Sequence, residues 1–249
     1  MVKFSIFIPV YNEERTIETN LLKIFDKLKE FDWDYELIIA DDGSVDSTPK
    51  IVKKLEKKYK NLILYRNKKN LGRGEILSLS FKIANGRYIG FMDIDLATNL
   101  NYLEDLVNNL KDADIAIGSR WLKRSLVKRS FLRWFISFFY NKFLLKILFN
   151  SQIKDHQCGF KGFKKEIALK LIEECGVRND RIWAWDTEML IRAQRHRYKI
   201  KEFPIEWDAG KESKFKILRD IIIVGIYLFK LRLEFLNEDI RWLKSKYYL

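Results

Sequence analysis

The order of apolar and polar positions along the chain predicts strands that alternate with helices. Residues 2–10 form a nearly continuous apolar run, as expected for a buried strand. Apolar residues at helical spacing follow at Ile17, Leu21, Ile24, Phe25 and Leu28. The same patterns predict further strands at 35–41, 62–67, 87–95, 114–118 and 200–207. They predict further helices near 48–55, 72–86, 101–111, 130–149, 186–198 and 216–246, and a turn followed by a short helix within 155–175. This alternation favours an α/β fold around a doubly wound, mostly parallel sheet.

Composition narrows the class of protein. The chain has 249 residues, of which 47% are hydrophobic and 14% aromatic, so it can bury a core and is not disordered. Its two cysteines, Cys158 and Cys175, supply neither a disulfide framework nor a structural zinc site, and they favour a reducing compartment. No segment offers 20 clean apolar residues, and the first apolar stretch is too short for a signal peptide. We therefore expect neither a membrane-spanning helix nor a secretory leader.

The formal net charge of +13 is concentrated in one block of the chain. Residues 119–154 hold nine Lys and Arg, nine aromatic residues and no Asp or Glu, whereas residues 1–118 are nearly neutral. Basic residues mixed with Phe, Trp and Leu suit the headgroup layer of an anionic membrane. The alternatives are a nucleic-acid-binding patch and an ordinary core helix with a solvated face. We expect no nucleic-acid partner, because the apolar face of this block would find no apolar surface to pack against on a phosphate backbone.

Acidic residues follow three of the predicted strands at the points where those strands end. Glu13 follows the first strand, the second strand ends in Asp41 and is followed by Asp42, and the fourth strand ends in Asp93–Ile94–Asp95. Ligands of open α/β sheets bind beyond the carboxyl ends of the strands, so the four aspartates should share one rim. Such a cluster is costly without a cation, which indicates Mg²⁺ or Mn²⁺ together with a diphosphate ligand. A helix cap or a turn is the alternative interpretation of the first aspartate pair.

Eight short motifs mark the chain. In order they are IPVYNEE (8–14), DDGSVDST (41–48), NLGRG (70–74), DIDLAT (93–98), GSR (118–120), DHQCGFK (155–161), WDTE (185–188) and PIEW with a later SK (204–214). In this order they resemble family 2 glycosyltransferases, and the chain is similar to the branch that transfers sugars to dolichyl or other polyprenyl phosphates. The resemblance runs from residue 4 to about residue 235. A P-loop and a dinucleotide-binding G-x-G-x-x-G are both missing, which argues against a kinase or a dehydrogenase.

The resemblance implies a GT-A, Rossmann-like fold that binds a nucleotide sugar, and it implies roles for matching residues. The nucleotide would be held by Pro9, Tyr11, Glu13, Asp41 and Asp42. Asp93 and Asp95 would hold the sugar diphosphate and its metal ion, Mg²⁺ or Mn²⁺. Asp155 matches an acidic position in the loop that closes the site, and Arg120 matches an arginine near the diphosphate. The resemblance thus makes Asp93, Asp95, Asp155 and Arg120 the catalytic candidates.

A second set of matching residues concerns the acceptor. Arg133, Ser137 and Asn141 lie at i, i+4 and i+8, so they share one stripe of a helix. They match the family's Arg-x-x-x-Ser-x-x-x-Asn, in which the Arg and the Ser contact the lipid phosphate. The resemblance therefore implies a lipid-phosphate site on the helix near 130–149.

Two departures from the family pattern concern the sugar. Mannosyl-transferring relatives have a metal-ligating Gln where this chain has Ala97, and an arginine in the loop before the Ser-Lys, where residues 208–212 hold none. Both differences resemble the dolichyl-phosphate glucosyltransferases. Lys211 or Lys214 is the candidate replacement for the missing arginine, and Lys214 is assigned to the lipid phosphate.

The expected activity is that of an inverting, metal-dependent transferase of glucose or a related hexose, with a UDP-sugar as donor and dolichyl or polyprenyl phosphate as acceptor. Residues 1–210 would form the catalytic domain, and residues 211–249 an amphipathic helical extension that faces the membrane. The enzyme would lie on the cytoplasmic face of an anionic membrane as a peripheral protein, with oligomers possible. The alternatives are a mannosyltransferase using GDP-mannose, a glycosyltransferase with a soluble or polysaccharide acceptor, and a non-enzymatic membrane scaffold.

Overall fold

A computed structural model of the protein describes residues 3–176, 184–208 and 217–247. Its strands are β1 (Lys3–Val10), β2 (Asp34–Asp41), β3 (Leu62–Arg66), β4 (Tyr88–Phe91), β5 (Ile115–Ser119), β6 (Leu126–Lys128), β7 (Lys161–Lys164), β8 (Ile200–Pro204) and β9 (Glu206–Asp208). Its helices are α1 (Ile17–Leu28), α2 (Thr48–Glu56), α3 (Arg73–Phe81), α4 (Tyr102–Asp112), α5 (Phe131–Phe139), α6 (Leu145–Phe149), α7 (Lys165–Cys175), α8 (Trp185–Arg195) and α9 (Ile217–Tyr247). A π-helical turn, Tyr140–Leu144, joins α5 to α6.

Seven strands form one sheet in the order β3-β2-β1-β4-β7-β5-β8. Neighbouring strands are parallel except where β7 pairs with β4 and β5, and those two pairs are antiparallel. Residues 4–8 of β1 are all buried, as expected for an inner strand that is covered on both faces. The predicted α/β class and the mostly parallel sheet are confirmed.

Two parts of the sheet differ from the sequence prediction. β7 comes from a segment predicted as a turn before a helix, and a Cβ on its Gly162 would lie 2.8 Å from Leu110 of α4. The residue without a side chain therefore lets the strand pass under the helix.

The predicted strand 200–207 is interrupted at Ile205, whose side chain is buried and whose carbonyl accepts a hydrogen bond from the N–H of Leu126 (3.0 Å). Its second half, β9, pairs with β6 in a separate two-stranded parallel sheet.

Helices cover both faces of the sheet. The apolar residues of β1 alternate between two cores, with Phe4 in the one beneath α1, α2 and α4 and Phe7 in the one beneath α3, α7 and α8. All five residues of α1 that helical spacing placed on its apolar face are buried, which confirms that pattern. The carboxyl ends of β1, β2 and β4 emerge at one edge between these layers.

The order Ser47–Thr48–Pro49 in the sequence predicts a helix start with a hydroxyl-bearing capping residue before a proline. The observed start of α2 differs in its cap. Ser47 makes no side-chain hydrogen bond to the first turn, and Asp46 Oδ1 instead accepts one from the N–H of Thr48 (2.9 Å). Pro49 occupies the first turn as predicted. A carboxylate one residue earlier therefore does what the serine was expected to do.

The predicted helix at 130–149 is continuous but changes its winding. Because the π-helical turn inserts an extra residue, the positions after it rotate relative to ideal α-helical spacing. Helical spacing predicts one broad membrane-facing side that holds Phe131, Phe135, Phe138, Leu145 and Phe149. In the structure Leu145 is fully buried, and Phe149 packs edge-on against Phe235 of α9 with ring centroids 6.0 Å apart. That prediction is wrong for Leu145 and Phe149, whereas Phe131 and Phe135 are exposed.

The C-terminal helix α9 packs on α6 and α8 through one apolar cluster. No helix among the described residues combines the length and the apolar character needed to cross a membrane. The predicted division at residue 210 lies in 209–216, which with its Lys211 and Lys214 is outside the described residues. That division stays a prediction.

Candidate active site

The loop after β4 forms one wall of a pocket at the carboxyl edge of the sheet. β4 ends at Phe91, earlier than the predicted 95, so Asp93 and Asp95 lie in the loop beyond the strand. The pocket is lined by Met92, Asp93, Asp95, Leu96, Ala97, Thr98, Gly159 and Trp207. Open α/β sheets bind their ligands at this position, so the pocket is the candidate site.

Backbone contacts fix the shape of this loop. The N–H of Ala97 donates to Asp95 Oδ1 (3.0 Å), and the carbonyl of Ala97 accepts from the N–H of Asp208 in β9 (2.8 Å). Leu96, between the two, has φ 55°, a left-handed conformation that bulky side chains rarely adopt. Such backbone persists where its surroundings enforce it, and it clusters at binding sites. The loop therefore holds the Asp95 carboxylate in one direction at the pocket wall.

Asp93 is the partly exposed end of a chain of alternating charges whose other end, at Asp186 and Lys161, is buried. Arg73, the first residue of α3, donates from Nη2 to Asp93 Oδ1 (3.0 Å) and from Nη1 to Asp186 Oδ1 (3.0 Å). Lys161 is fully buried, and its Nζ lies 2.8 Å from Asp186 Oδ2. Burial alone would raise the pKa of Asp186, but Lys161 and Arg73 outweigh it and lower that pKa. Asp186 is therefore an ionised, fully bonded carboxylate and not a poised proton acceptor.

Sequence reasoning assigned no role to Arg73, Lys161 or Asp186. Each lies in one of the eight motifs, in NLGRG, DHQCGFK and WDTE respectively. A lysine inside the apolar run Gly159–Phe163 was a signal for a buried ion pair, because lysine is almost never fully buried unpaired.

Asp95 has a different environment from Asp93. Within the described ranges no Lys or Arg forms an ion pair with Asp95, and its carboxylate accepts the bond from Ala97. Desolvation raises the pKa of Asp95, and the neighbouring charge of Asp93 raises it further. A cation beside the two carboxylates would remove this repulsion.

The two aspartates fit a metal ion that arrives with its ligand. In the described part of the chain no three Asp, Glu, His or Cys side chains gather as a metal site, so the protein would supply two carboxylates. Mg²⁺ is commonly bound by one or two carboxylates plus substrate phosphates. A Cβ at Gly159 would lie 1.9 Å from Asp93 Oδ2, so only glycine leaves that oxygen uncovered. The donor set therefore suits a divalent cation bound to a diphosphate.

Asp41 and Asp42 are held by the chain itself, in contrast to the predicted need for a cation. Asp41 is fully buried, accepts from the N–H of Ser44 at Oδ1 (2.9 Å) and lies 2.9 Å from Arg66 Nε at Oδ2. Asp42 accepts from two backbone N–H groups that lead into α3, at 2.9 and 2.7 Å. The contacts of Asp41 and Asp42 are therefore those expected of a turn. Their part in nucleotide binding stays a prediction.

The other predicted nucleotide residues come to the same edge. Tyr11 and Glu13 follow β1, with Tyr11 39% exposed and the N–H of Glu13 bonded to Thr48 Oγ1 (2.8 Å). Pro9 pairs in register with Ala40 of β2, one residue before Asp41. These residues lie at the carboxyl end of β1, which pairs with β2, and nucleotide binding by them stays a prediction.

Arg120 and Asp155, two catalytic candidates, bind each other. Arg120 Nε and Nη2 each lie 2.8 Å from one oxygen of Asp155, which is fully buried. Burial alone would raise the pKa of Asp155, but the guanidinium of Arg120 lowers it to about 2. The Arg120 guanidinium also lies over the Trp207 ring at 5.1 Å. Asp155 thus holds Arg120 against the pocket wall, and a catalytic part for either stays a prediction.

The predicted acceptor residues lie on α5 and the π-helical turn. Asn141 Nδ2 donates to the carbonyl of Ser137 (2.9 Å), and Asn141 Oδ1 accepts from the N–H of His156 (3.0 Å). Asn141 therefore ties this helix to the loop that precedes β7. Arg133 is half-buried, and no ion pair of Arg133 occurs among the described residues. Lys214 lies outside them.

Comparison with known proteins adds independent information. Residues 5–172 match the family described as Glycosyl transferase family 2. The chain is 36% identical to Glycosyltransferase AglD of Haloferax volcanii over 92% of its own length but only 37% of that protein. It is 31% identical to human dolichyl-phosphate beta-glucosyltransferase over 94% of its length and 76% of that protein.

Solved structures share the fold. One is glucosyl-3-phosphoglycerate synthase from Mycobacterium tuberculosis with Mn²⁺, uridine-diphosphate and phosphoglyceric acid, at a TM-score of 0.67 and 17% identity over 93% of this chain and 78% of that one. Another is the mannosyltransferase PcManGT from Pyrobaculum calidifontis with GDP-Man and Mn²⁺. Its TM-score is 0.58 and its sequence identity 20%, over 85% of this chain and 57% of that one. At these identities the likeness shows a GT-A type fold alone.

Proposed function

The chain belongs to glycosyl transferase family 2, and on that premise we propose that it transfers glucose, or a related hexose, from a UDP-sugar to dolichyl or another polyprenyl phosphate. Relatives named dolichyl-phosphate beta-glucosyltransferase support both the sugar and the acceptor. Those from Dictyostelium discoideum and human are each 31% identical over more than nine-tenths of this chain. Ala97 supports glucose over mannose, because its side chain offers no metal ligand where mannosyl relatives have glutamine.

The position of an exposed aromatic helix beside the pocket carries this proposal. Trp207, which lines the pocket, is paired with Val127 in the β6–β9 ladder, and α5 begins three residues after β6. The exposed apolar residues of α5 and the helical turns after it are Phe131, Leu132, Trp134, Phe135, Phe139, Phe143 and Ile147. An acceptor with an apolar tail and a phosphate head would therefore bring its head toward the pocket while its tail stays against this face.

The chemistry asks the protein for placement and charge. A phosphate monoester has a second pKa of about 6, so it is largely dianionic near neutral pH and needs no general base. That agrees with Asp186, whose carboxylate is bonded to both Lys161 and Arg73. The phosphate oxygen attacks C1 of the sugar, the bond from C1 to the nucleoside diphosphate breaks, and one displacement inverts the anomeric carbon. An α-linked donor thus gives a β-linked product.

Asp93 and Asp95 would hold a divalent ion, Mg²⁺ or Mn²⁺, which takes up charge on the departing diphosphate. The protein's own part is to keep both carboxylates at the pocket wall, through Arg73 for Asp93 and through the Leu96 turn for Asp95. Arg120, oriented by Asp155, adds a fixed positive charge at the same wall.

We place the enzyme on the cytoplasmic leaflet of a membrane as a peripheral protein. Ile222, Ile226 and Phe229 of α9 are exposed, and α9 packs on α6, so both apolar surfaces belong to one helical unit. The acid-free block 119–154 suits an anionic surface. The two cysteines are free and buried, which agrees with a reducing compartment.

A donor and acceptor screen tests the proposal. The purified full chain is supplied with UDP-glucose, UDP-galactose or GDP-mannose, and with farnesyl phosphate, farnesol or glycerol 3-phosphate, while nucleoside diphosphate release is measured with Mg²⁺ or Mn²⁺. The expected result is release with UDP-glucose that needs farnesyl phosphate. Release that is equally fast with glycerol 3-phosphate would contradict a lipid acceptor.

A further inference from the structure

Two buried N–H donors without an acceptor belong to side chains that contact each other in the segment between β5 and α5. Trp121 Nε1 and Arg129 Nε are both out of contact with solvent, and neither has a hydrogen-bond partner in the part of the chain that the structure describes. The Arg129 guanidinium lies over the Trp121 ring at 4.3 Å, so the two groups form one unit. Buried polar groups in folded proteins are nearly always hydrogen-bonded, so two neighbouring donors without an acceptor indicate a missing ligand.

Among the described residues Arg129 has no carboxylate partner of its own. It lies in residues 119–154, which contain no Asp or Glu, and no ion pair of Arg129 occurs within the described ranges. The Asp155 carboxylate acts on Arg129 electrostatically, but it already accepts two bonds from the guanidinium of Arg120. Burial lowers the pKa of Arg129 to about 10, and the positive charge of Arg120 contributes to this. A bound anion would relieve this cost.

The position of Arg129 lies between the pocket and the exposed aromatic face. On one side β6 pairs with β9, the strand that carries Trp207 of the pocket wall. The guanidinium of Arg120 lies over the Trp207 ring. On the other side the Trp121 ring packs against Trp134 of α5, with centroids 6.1 Å apart. A phosphate bound here would have its tail beside the aromatic face and its oxygens directed toward the pocket.

We propose that Arg129, with the indole N–H of Trp121, binds the phosphate of the lipid acceptor. The inference rests on the proposed function and adds to it a pair of residues that the family motif Arg133-x-x-x-Ser137 does not include. Arg129 also supplies a cation on the acceptor side, where the loop at 208–212 has no arginine. The ligand class is a phosphate monoester on an apolar chain, because the donors are N–H groups and the adjoining surface is aromatic.

Binding and kinetics of Arg129→Gln test this, with Arg124→Gln as the matched control. Arg124 is an exposed arginine five residues earlier in the same block. The affinity for farnesyl phosphate is measured by calorimetry, and KM is measured separately for farnesyl phosphate and for UDP-glucose. Loss of a charge-assisted hydrogen bond typically weakens binding about 10- to 100-fold. We expect that loss for farnesyl phosphate with Arg129→Gln, a KM for UDP-glucose within about twofold of wild type, and no change with Arg124→Gln.

Two further measurements separate binding from structure. Trp121→Phe keeps the ring and removes the N–H, so it should weaken farnesyl phosphate binding while its melting temperature stays near wild type. Arg129→Gln should lower the melting temperature only slightly, because within the described residues the contact it removes is the stacking of the guanidinium on the Trp121 ring. Equal affinity of wild type and Arg129→Gln for farnesyl phosphate would overturn the inference, as would equal losses for farnesyl phosphate and farnesol.

Failure of the proposed function looks different from failure of this inference. If the wild type binds farnesyl phosphate through Arg129 but transfers no sugar to it, the anion site stands and the proposed acceptor falls. If it transfers sugar to farnesyl phosphate equally well without Arg129, the acceptor stands and the role of Arg129 falls.

Discussion

The Nζ atom of Lys161 lies 2.8 Å from the carboxylate of Asp186, and the lysine side chain is completely buried. Through Asp186 and Arg73 this ion pair is connected to Asp93 at the pocket. The position of Asp93 therefore depends on a charge in the middle of the sheet, on strand β7.

Replacing Lys161 with Met should lower the free energy of unfolding by about 3–5 kcal/mol, because it leaves the buried charge of Asp186 with one cation fewer. Lys164→Met is the matched control in the same strand. Lys164 pairs with Asp114 at 2.9 Å, but both side chains are about one-quarter exposed, so its loss should cost about 1 kcal/mol or less. Denaturant unfolding gives both values, and equal losses would show that the buried pair has no special weight.

Acid should weaken the fold through Asp155. Its pKa falls from an ordinary 3.8 to about 2 in the folded protein, so the unfolded chain binds the proton first as the pH drops. This stabilisation is complete above about pH 4 and is lost as the pH falls through 2, and it amounts to about 2 kcal/mol. Unfolding free energies of wild type and Asp155→Asn, measured from about pH 5 to about pH 2, check this. Parallel curves for the two proteins would contradict it.

The fold could be predicted from the sequence where periodicity alone decides the structure. Buried apolar runs marked β1 and β2, and helical spacing marked α1, because each pattern reports which side of an element faces the core. β7 and the β6–β9 ladder were missed, because three or four residues with glycine or charges carry too short a pattern. The exposed face near 145 was misplaced because a π-helical turn leaves no mark in helical spacing.

The site could be predicted as an edge of the sheet but not as a set of partners. Asp93 and Asp95 were identified because they follow a buried strand, and the pocket contains both. That Arg73 would neutralise Asp93 required knowing that α3 begins beside the loop, which is a tertiary contact. The orphan donors of Trp121 and Arg129 are likewise visible only when burial is known.

Removing the charge of Asp95 should abolish transfer without weakening the fold. Within the described residues no Lys or Arg pairs with this carboxylate, so Asp95→Asn leaves no partner unsatisfied. Loss of one transition-state electrostatic contact typically costs about 10²–10³ in rate. Product formation and thermal melting, measured on the same preparations, check both parts. A much lower melting temperature of the variant, or transfer by the wild type that persists in excess chelator, would contradict the role assigned to Asp95.

Membrane attachment should depend on the exposed aromatic face of α5. Phe135 and Phe139 are each about half exposed, and their joint replacement by Ser should reduce co-sedimentation with anionic vesicles by at least about tenfold, because each buried aromatic contributes about 1.5–3 kcal/mol. Binding should also weaken in high salt. The control is the double replacement of Val45 and Ile83 by Ser, two exposed apolar residues in connections outside α5. If both double variants bind like wild type, α5 is not the attachment surface.

Inverting transfer to a lipid phosphate is tested most directly by the structure of the product. Wild-type protein is incubated with UDP-α-glucose and farnesyl phosphate, and the glycolipid is isolated and examined by proton and phosphorus NMR. The expected product carries glucose in β-linkage on the phosphate, as a phosphodiester between C1 of the sugar and the lipid. An α-linked product would contradict the single displacement, and glucose on any acceptor that leaves the lipid phosphate unmodified would contradict the acceptor itself.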